Sequence, residues 1–156
     1  MFQQMREQNK KQLVIGIGNE GRGDDGLGWR FAEKVEALAL PNVDVAYRFQ
    51  LQVEDAELIA QYDTVIFSDA TLEAFEIGFH FEFCQRTPPG FIASHNQSPE
   101  VLLSLSQMLY KKLPRAFIMK ICGDRWEMGV GLSKEATTNL ENAFNFFLPE
   151  LRKTIS

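Results

Sequence analysis

The sequence predicts an α/β fold: a three-layer α/β/α sandwich around a mixed five-stranded sheet with one antiparallel strand. Short apolar runs alternate with segments whose apolar residues recur at helical spacing, a pattern typical of parallel strands with helices on both faces. One later segment, 77–83, instead alternates apolar and polar residues and begins about eight residues after the preceding strand. A parallel crossover needs a dozen or more residues, so we expect this strand to be antiparallel.

The individual elements follow from the same periodicities. The predicted order is strand 13–17, helix 27–38, strand 43–47, helix 54–61, strand 64–67, strand 77–83, a helix from 99, strand 116–121 and a closing helix from 133. Ser98 followed by Pro99 is a typical helix start, because serine caps the first turn and proline fits its first position. Ser133 is expected to begin the last helix in a similar way.

Composition excludes several classes of protein. The 156 residues include 45% hydrophobic and 24% charged ones and carry a net charge of −5, which is typical of a globular protein and argues against a nucleic-acid groove. No apolar run approaches the roughly 20 residues of a membrane span, and the opening segment lacks a signal-peptide core. With only Cys84 and Cys122, we expect a reduced, cytoplasmic protein with no membrane partner, and a monomer. We expect a mobile arm at 1–11 and a single domain at 12–156.

The first strand ends in a glycine-rich turn that has three interpretations. The run Gly16-Ile17-Gly18-Asn19-Glu20-Gly21 matches the dinucleotide fingerprint, which on its own is a weak signal. However, Asp24 and Asp25 follow at the helix start where a pyrophosphate would bind, and their charge favours a cation or an electrophile instead. Helix capping by aspartate and tight turning by glycine remain a third, purely structural explanation.

Several motifs together resemble the hydrogenase maturation proteases, over about residues 12–150. The most specific is Gly16-x-Gly18-Asn19 followed after four residues by Asp24-Asp25-Gly26-x-Gly28. The supporting segments, in order, are Ser68-Asp69-Ala70 after an apolar strand, Ser94-His95 before Ser98-Pro99, and Gly129-x-Gly131-Leu132-Ser133. The fold this implies, a phosphorylase/hydrolase-like sandwich with one antiparallel strand, agrees with the pattern above.

The resemblance implies an activity and a set of site residues. The family removes a C-terminal extension from the nickel-loaded large-subunit precursor of nickel–iron hydrogenases, so that precursor is the expected partner. Asp25, Asp69 and His95 carry over as both the catalytic and the metal-binding set. The nickel would be supplied by the substrate, and zinc or another divalent ion could take its place in crystals. Whether nickel polarises the scissile carbonyl, activates water or only docks the substrate stays open.

The predicted topology supports convergence of these three residues. Asp25 and Asp69 are expected just beyond the carboxyl ends of the first and third strands, and His95 precedes a helix that must start at the same edge. Open α/β sheets bind ligands there. Two carboxylates and one imidazole suit zinc or nickel better than magnesium, and three protein ligands with an open position are typical of a catalytic site.

Simpler explanations exist for each residue. Asp69 could cap a turn, His95 could be a surface-loop histidine, and His80 is expected to be solvated. Candidate substrate contacts are Gln50, Glu54, Asn19 and Asp24. Catalysis by cysteine is disfavoured, because Cys84 closes an aromatic strand where a packing role is favoured and Cys122 has no nearby partner in sequence. The competing functions are a non-catalytic dinucleotide-binding module and a peptidase of the same fold acting on another precursor.

Overall fold

A computed structural model describes residues 10–88 and 97–153. Its strands are β1 (Gln12–Ile17), β2 (Val43–Arg48), β3 (Thr64–Thr71), β4 (Phe79–Cys84) and β5 (Arg115–Cys122). Its helices are α1 (Leu27–Ala37), α2 (Asp55–Ile59), α3 (Pro99–Tyr110) and α4 (Lys134–Lys153), and a short 3-10 helix (Gly23–Gly26) precedes α1. No helix in these ranges combines the length and apolar character needed to cross a membrane.

The five strands form one mixed sheet in the order β2-β1-β3-β5-β4. Every neighbouring pair is parallel except β4 and β5, which are antiparallel. The predicted fold class, including the antiparallel strand, is therefore confirmed. The parallel arrangement brings the ends of β1, β3 and β5 to the same edge, which we call the carboxyl edge.

Two apolar cores cover the two faces of the sheet. Helices α1 and α4 pack on one face, where Phe31 and Phe147 are buried against Ile66 of β3. Helices α2 and α3 pack on the other, where Leu102 and Ile59 are buried with Phe67. Successive residues of a strand point to opposite faces of the sheet. Because both faces are covered, nearly every residue of β1 and of the first half of β3 is apolar.

Helix α1 lies unusually close to the sheet. Gly28 is buried, and its carbonyl oxygen accepts a 2.8 Å hydrogen bond from the Ser68 hydroxyl of β3. A Cβ atom at Gly28 would collide with the carbonyl oxygens of Ile17 and Ser68. This contact fixes the start of α1, and the short helix before it, against the ends of β1 and β3.

Three boundaries differ from the sequence-based expectation. Strand β3 continues to Thr71, so Asp69 lies within the strand and not beyond it. Strand β4 begins at Phe79 because Gly78 has a φ of +85°, which breaks the extended backbone before it and leaves Ile77 62% exposed. Lys11, assigned to the mobile arm, is held by Asp63: its N–H donates to the Asp63 carboxylate at 2.8 Å. Residues 1–9 of that arm lie outside the described ranges.

Candidate active site at the carboxyl edge

Asp25 lies in the 3-10 helix, directly beside the glycine-rich turn. Its Oδ2 accepts a 2.9 Å hydrogen bond from the backbone N–H of Asn19. Gly18 has a φ of +131° and leaves no space for a Cβ, which would collide with the Asp25 carbonyl oxygen. The turn is therefore shaped around Asp25, whose half-buried side chain stays at the carboxyl edge.

Four further N–H groups of this turn are also occupied. Gly18 N–H donates to the Arg48 carbonyl at 2.9 Å, and Gly21 N–H to Asn19 Oδ1 at 2.9 Å. Arg22 and Gly23 donate to backbone carbonyls as well. A dinucleotide pyrophosphate binds through free N–H groups at such a turn, so this geometry argues against the dinucleotide interpretation.

Asp24 faces the opposite way and is fully buried, with 0% of its surface exposed. It accepts hydrogen bonds from the N–H groups of Asp124 (2.7 Å), Arg125 (2.9 Å) and Ser133 (2.7 Å), and from the Ser133 hydroxyl (2.8 Å). Burial acts to raise the pKa of Asp24, but these four hydrogen bonds outweigh it and hold the pKa below its ordinary value. The expectation that Asp24 contacts substrate is therefore wrong, because its carboxylate anchors the segment after β5.

Asp69 lies near the end of β3, on the sheet face covered by α2 and α3. It lines a cavity of about 320 Å³ together with Phe67 and Ile118. Burial, and to a lesser extent the charge of Asp25, raise the pKa of Asp69 to about 7, against a lowering effect of the hydrogen bond from Ala70 N–H (2.8 Å). The two aspartates are thus close enough for the charge of one to act on the other.

The other candidate substrate contacts divide into two groups. Gln50 is exposed and lines the Asp69 cavity, and Asn19 is half-buried beside Asp25. Glu54 is exposed at the start of α2 and is absent from the described lining of that cavity. The structure therefore brings Gln50 and Asn19 to the site but does not bring Glu54 into the cavity.

His95 lies outside the described residues, so its role stays a prediction. The first residues described after it, Gln97 and Ser98, line the Asp69 cavity at the start of α3. Ser98 caps that helix as expected, since its hydroxyl accepts a 3.3 Å hydrogen bond from Val101 N–H. Within residues 10–88 and 97–153, no three His, Cys, Asp or Glu side chains lie close enough together to hold one metal ion.

Lys120 is a site residue that the sequence did not reveal. It is the register partner of Asp69 on β5 and contributes the one basic side chain to the described lining of the cavity. Its ammonium group lies 3.2 Å from Glu82 and 3.4 Å from Glu73. Burial acts to lower the pKa of Lys120, but the two carboxylates raise it overall, so the side chain is charged. Strand register, which the sequence alone does not define, was the missing signal.

The surroundings of His80, Cys84 and Cys122 do not indicate a catalytic role. The His80 side chain is 44% exposed, as expected of a solvated histidine, and it also stacks on Phe75 with ring centres 4.8 Å apart and lies 3.4 Å from Glu82. Burial, together with nearby carboxylates, raises the pKa of the Cys84 thiol to about 12, which makes a reactive thiolate unfavourable. Cys122 donates to the Glu73 carbonyl, and both cysteines are free.

Solved structures of known proteins share this architecture. Hydrogenase maturating endopeptidase HybD from E. coli superposes with a TM-score of 0.71 at 19% identity, covering 92% of this chain and 93% of its own. The [NiFe] hydrogenase maturation protease HycI from Thermococcus kodakarensis KOD1 gives 0.68 at 20% identity, with 99% of both chains covered. The chain has the fold of the hydrogenase maturation proteases.

A third structure with this fold is the hydrogenase 2 maturation peptidase from Thaumarchaeota archaeon SCGC_AB-539-E09, with a TM-score of 0.66 at 22% identity over 91% of this chain and 98% of its own. No protein-family model and no curated protein matches the chain in sequence. The fold expected from the glycine and aspartate motifs is therefore confirmed by structure where overall sequence similarity is low.

Proposed function

We propose that this protein is an endopeptidase that removes the C-terminal extension of a nickel-loaded nickel–iron hydrogenase large-subunit precursor. Asp25, Asp69 and His95 are the residues that bind the substrate's nickel, and zinc or another divalent ion can replace it in vitro. Two free cysteines are compatible with action in the cytoplasm.

One observation carries the proposal: the carboxylate of Asp25, in the 3-10 helix after β1, and that of Asp69, on β3, lie close enough at the carboxyl edge for their charges to interact. Asp25 raises the pKa of the partly buried Asp69, which means that two charged groups at this site repel each other. The hydrogen bond from the Asn19 N–H holds the Asp25 carboxylate in place, and Asp69 is fixed in strand β3. Neither side chain can therefore move far to relieve the repulsion. A divalent cation relieves it, which gives a precursor that carries nickel an advantage over one that does not.

The surroundings provide room for the substrate chain. The Asp69 cavity is bordered by Gln50, whose amide can hydrogen-bond an extended backbone, and by the apolar side chains of Phe67 and Ile118. Lys120 lies at the same cavity with its charge held by Glu82 and Glu73. Nickel bound by the three residues brings the adjoining peptide bond to this cavity, where the metal can also act as a Lewis acid.

The test is a processing assay on precursor prepared with and without nickel. We expect native protein to cleave only the nickel-loaded form, and Asp25→Asn, Asp69→Asn and His95→Ala to reduce the rate at least about 100-fold, a loss typical of removing a catalytic group. Glu141→Gln, an exposed position on α4, is the matched control and should cleave at the native rate. Equal cleavage of both precursors would reject metal recognition by this site.

A further inference from the structure

A second groove lies on the other side of the carboxyl edge from the Asp69 cavity. It has a volume of about 750 Å³ and runs between the segment that joins β3 to β4 and the first turns of α4. Leu72 is 79% exposed and Ile77 62% exposed, and both line this groove together with Ala136. Two large apolar side chains at this exposure offer contact area to an approaching chain.

The polar lining of this groove has one sign of charge. Its carboxylates are Glu73, Glu76, Asp124 and Glu135, and none of the described lining residues is basic. Lys120 neutralises Glu73 from outside the groove. The other three take part in no ion pair with any residue in 10–88 or 97–153. The groove therefore favours an occupant that combines apolar and positively charged side chains.

The groove adjoins the candidate active site along β3 and the segment that follows it. Thr71 lines the Asp69 cavity, while the next two residues, Leu72 and Glu73, line the groove. Lys120 lines the Asp69 cavity and reaches Glu73 with its ammonium group at 3.4 Å. Because an extended chain advances roughly 3.3 Å per residue, a few residues of substrate cross from one to the other.

We propose that this groove binds the polypeptide segment of the substrate adjacent to the cleaved bond, and that it selects a segment with basic and apolar side chains. The proposal rests on the endopeptidase function above. Apolar side chains of the segment cover Leu72 and Ile77, and its positive charges meet Glu76, Asp124 and Glu135. The groove thus selects its substrate segment through charge complementarity and apolar contacts, and this selection is separate from recognition of the metal.

The first test measures peptide binding without cleavage. Two fluorescein-labelled nine-residue peptides share the same leucines and valines, and one carries three arginines where the other carries three glutamates. By fluorescence anisotropy with the full chain, we expect the arginine peptide to bind at least about 10-fold more tightly at low salt, and to weaken as salt is raised. Equal affinities for the two peptides would overturn the proposal.

A matched pair of charge reversals locates the site on α4. Glu135→Lys and Glu141→Lys change the net charge by the same amount on the same exposed helix, but only Glu135 lines the groove. We expect Glu135→Lys to weaken the arginine peptide at least about 5-fold and Glu141→Lys less than about 2-fold, since the nearer charge acts more strongly. Equal weakening would show a non-specific effect of net charge and overturn the assignment.

Processing assays separate this proposal from the proposed function. With nickel-loaded precursor, Glu135→Lys should raise KM while leaving kcat near native, whereas Asp69→Asn should abolish cleavage and still bind the arginine peptide. Failure of native protein to cleave the precursor, with selective peptide binding intact, would overturn the proposed function alone. Intact cleavage with an unchanged KM in Glu135→Lys would overturn the groove assignment alone. A dimer that Glu135→Lys dissociates in sedimentation would instead identify the groove as a self-association surface and overturn it.

Discussion

Asp24 accepts two hydrogen bonds from Ser133, one from the backbone N–H at 2.7 Å and one from the side-chain hydroxyl at 2.8 Å. The same hydroxyl accepts a hydrogen bond from Ala136 N–H at 3.1 Å, so Ser133 also caps α4. Asp24 therefore joins the turn after β1 to the start of the last helix. This contact fixes the position of the glycine-rich turn, while the side chain of the neighbouring Asp25 lies at the carboxyl edge of the sheet.

Replacing Asp24 should destabilise the fold strongly. Asp24→Ala leaves the N–H groups of Ser133, Asp124 and Arg125 without their acceptor, which should cost on the order of 3 kcal/mol or more. Asp24→Asn should cost nearly as much, because its amide would direct a donor at groups that are themselves donors. Thermal melts should show a fall of roughly 6–12 °C for either variant. A melting temperature within about 2 °C of native for Asp24→Asn would contradict this account.

Asp69 should make stability depend on pH. Its pKa is raised from an ordinary 3.8 to about 7, so the folded state binds more protons than the unfolded state between these values. Stability therefore falls as pH rises from about 4 to 7, and the cost is complete above pH 7. Asp69→Asn removes this cost. Relative to native, it should be more stable at pH 8 by on the order of 3 kcal/mol and nearly equal at pH 4.

The measurement compares denaturant or thermal unfolding of native protein and Asp69→Asn across this pH range. Groups that do not interact with Asp69 contribute equally to both proteins, so the difference reports Asp69 together with its coupling to Asp25. Glu141→Gln serves as the control and should show a difference that does not change with pH. A constant difference for Asp69→Asn as well would mean that its pKa is not raised.

Gly28 should tolerate no side chain. Gly28→Ala gains helix propensity of about 1 kcal/mol, but the new Cβ meets the backbone oxygens of Ile17 and Ser68, which cannot rotate away. We expect a net destabilisation of about 2 kcal/mol or more. Gly131→Ala is the control, because a Cβ there meets nothing within 4 Å. A Gly28→Ala protein as stable as Gly131→Ala would show that α1 lies farther from the sheet.

Nicotinamide and flavin nucleotides should not bind. The N–H groups of Gly18, Asn19 and Gly21 already have acceptors within the protein, and the Asp25 carboxylate lies at the same turn. We expect isothermal titration with NAD and FMN to give no saturable heat, with Kd above about 1 mM. Micromolar affinity for either nucleotide would restore the dinucleotide-binding interpretation.

The spacing of apolar residues located the helices and strands well, because it shows directly which side of each segment is buried. The predicted strands 13–17 and 43–47 lie within one residue of β1 and β2, and Ser98 and Ser133 begin their helices as expected. Strand β3 extends past its apolar run Val65–Phe67, and three of its last four residues, Ser68, Asp69 and Thr71, are polar. Apolar patterning could not reveal that extension.

The sequence by itself determined the layered fold, the antiparallel strand and the edge at which Asp25 and Asp69 lie, because these depend on local periodicity and on short connections. Tertiary structure decided which of two adjacent aspartates is structural. Successive residues of a 3-10 helix point about a third of a turn apart, so Asp24 and Asp25 face different surroundings. The partners of Asp24 come from residues 124–133, far along the chain, and Lys120 lies beside Asp69 only because of the β3–β5 register. Such contacts depend on the folded packing of distant segments, which no local pattern encodes.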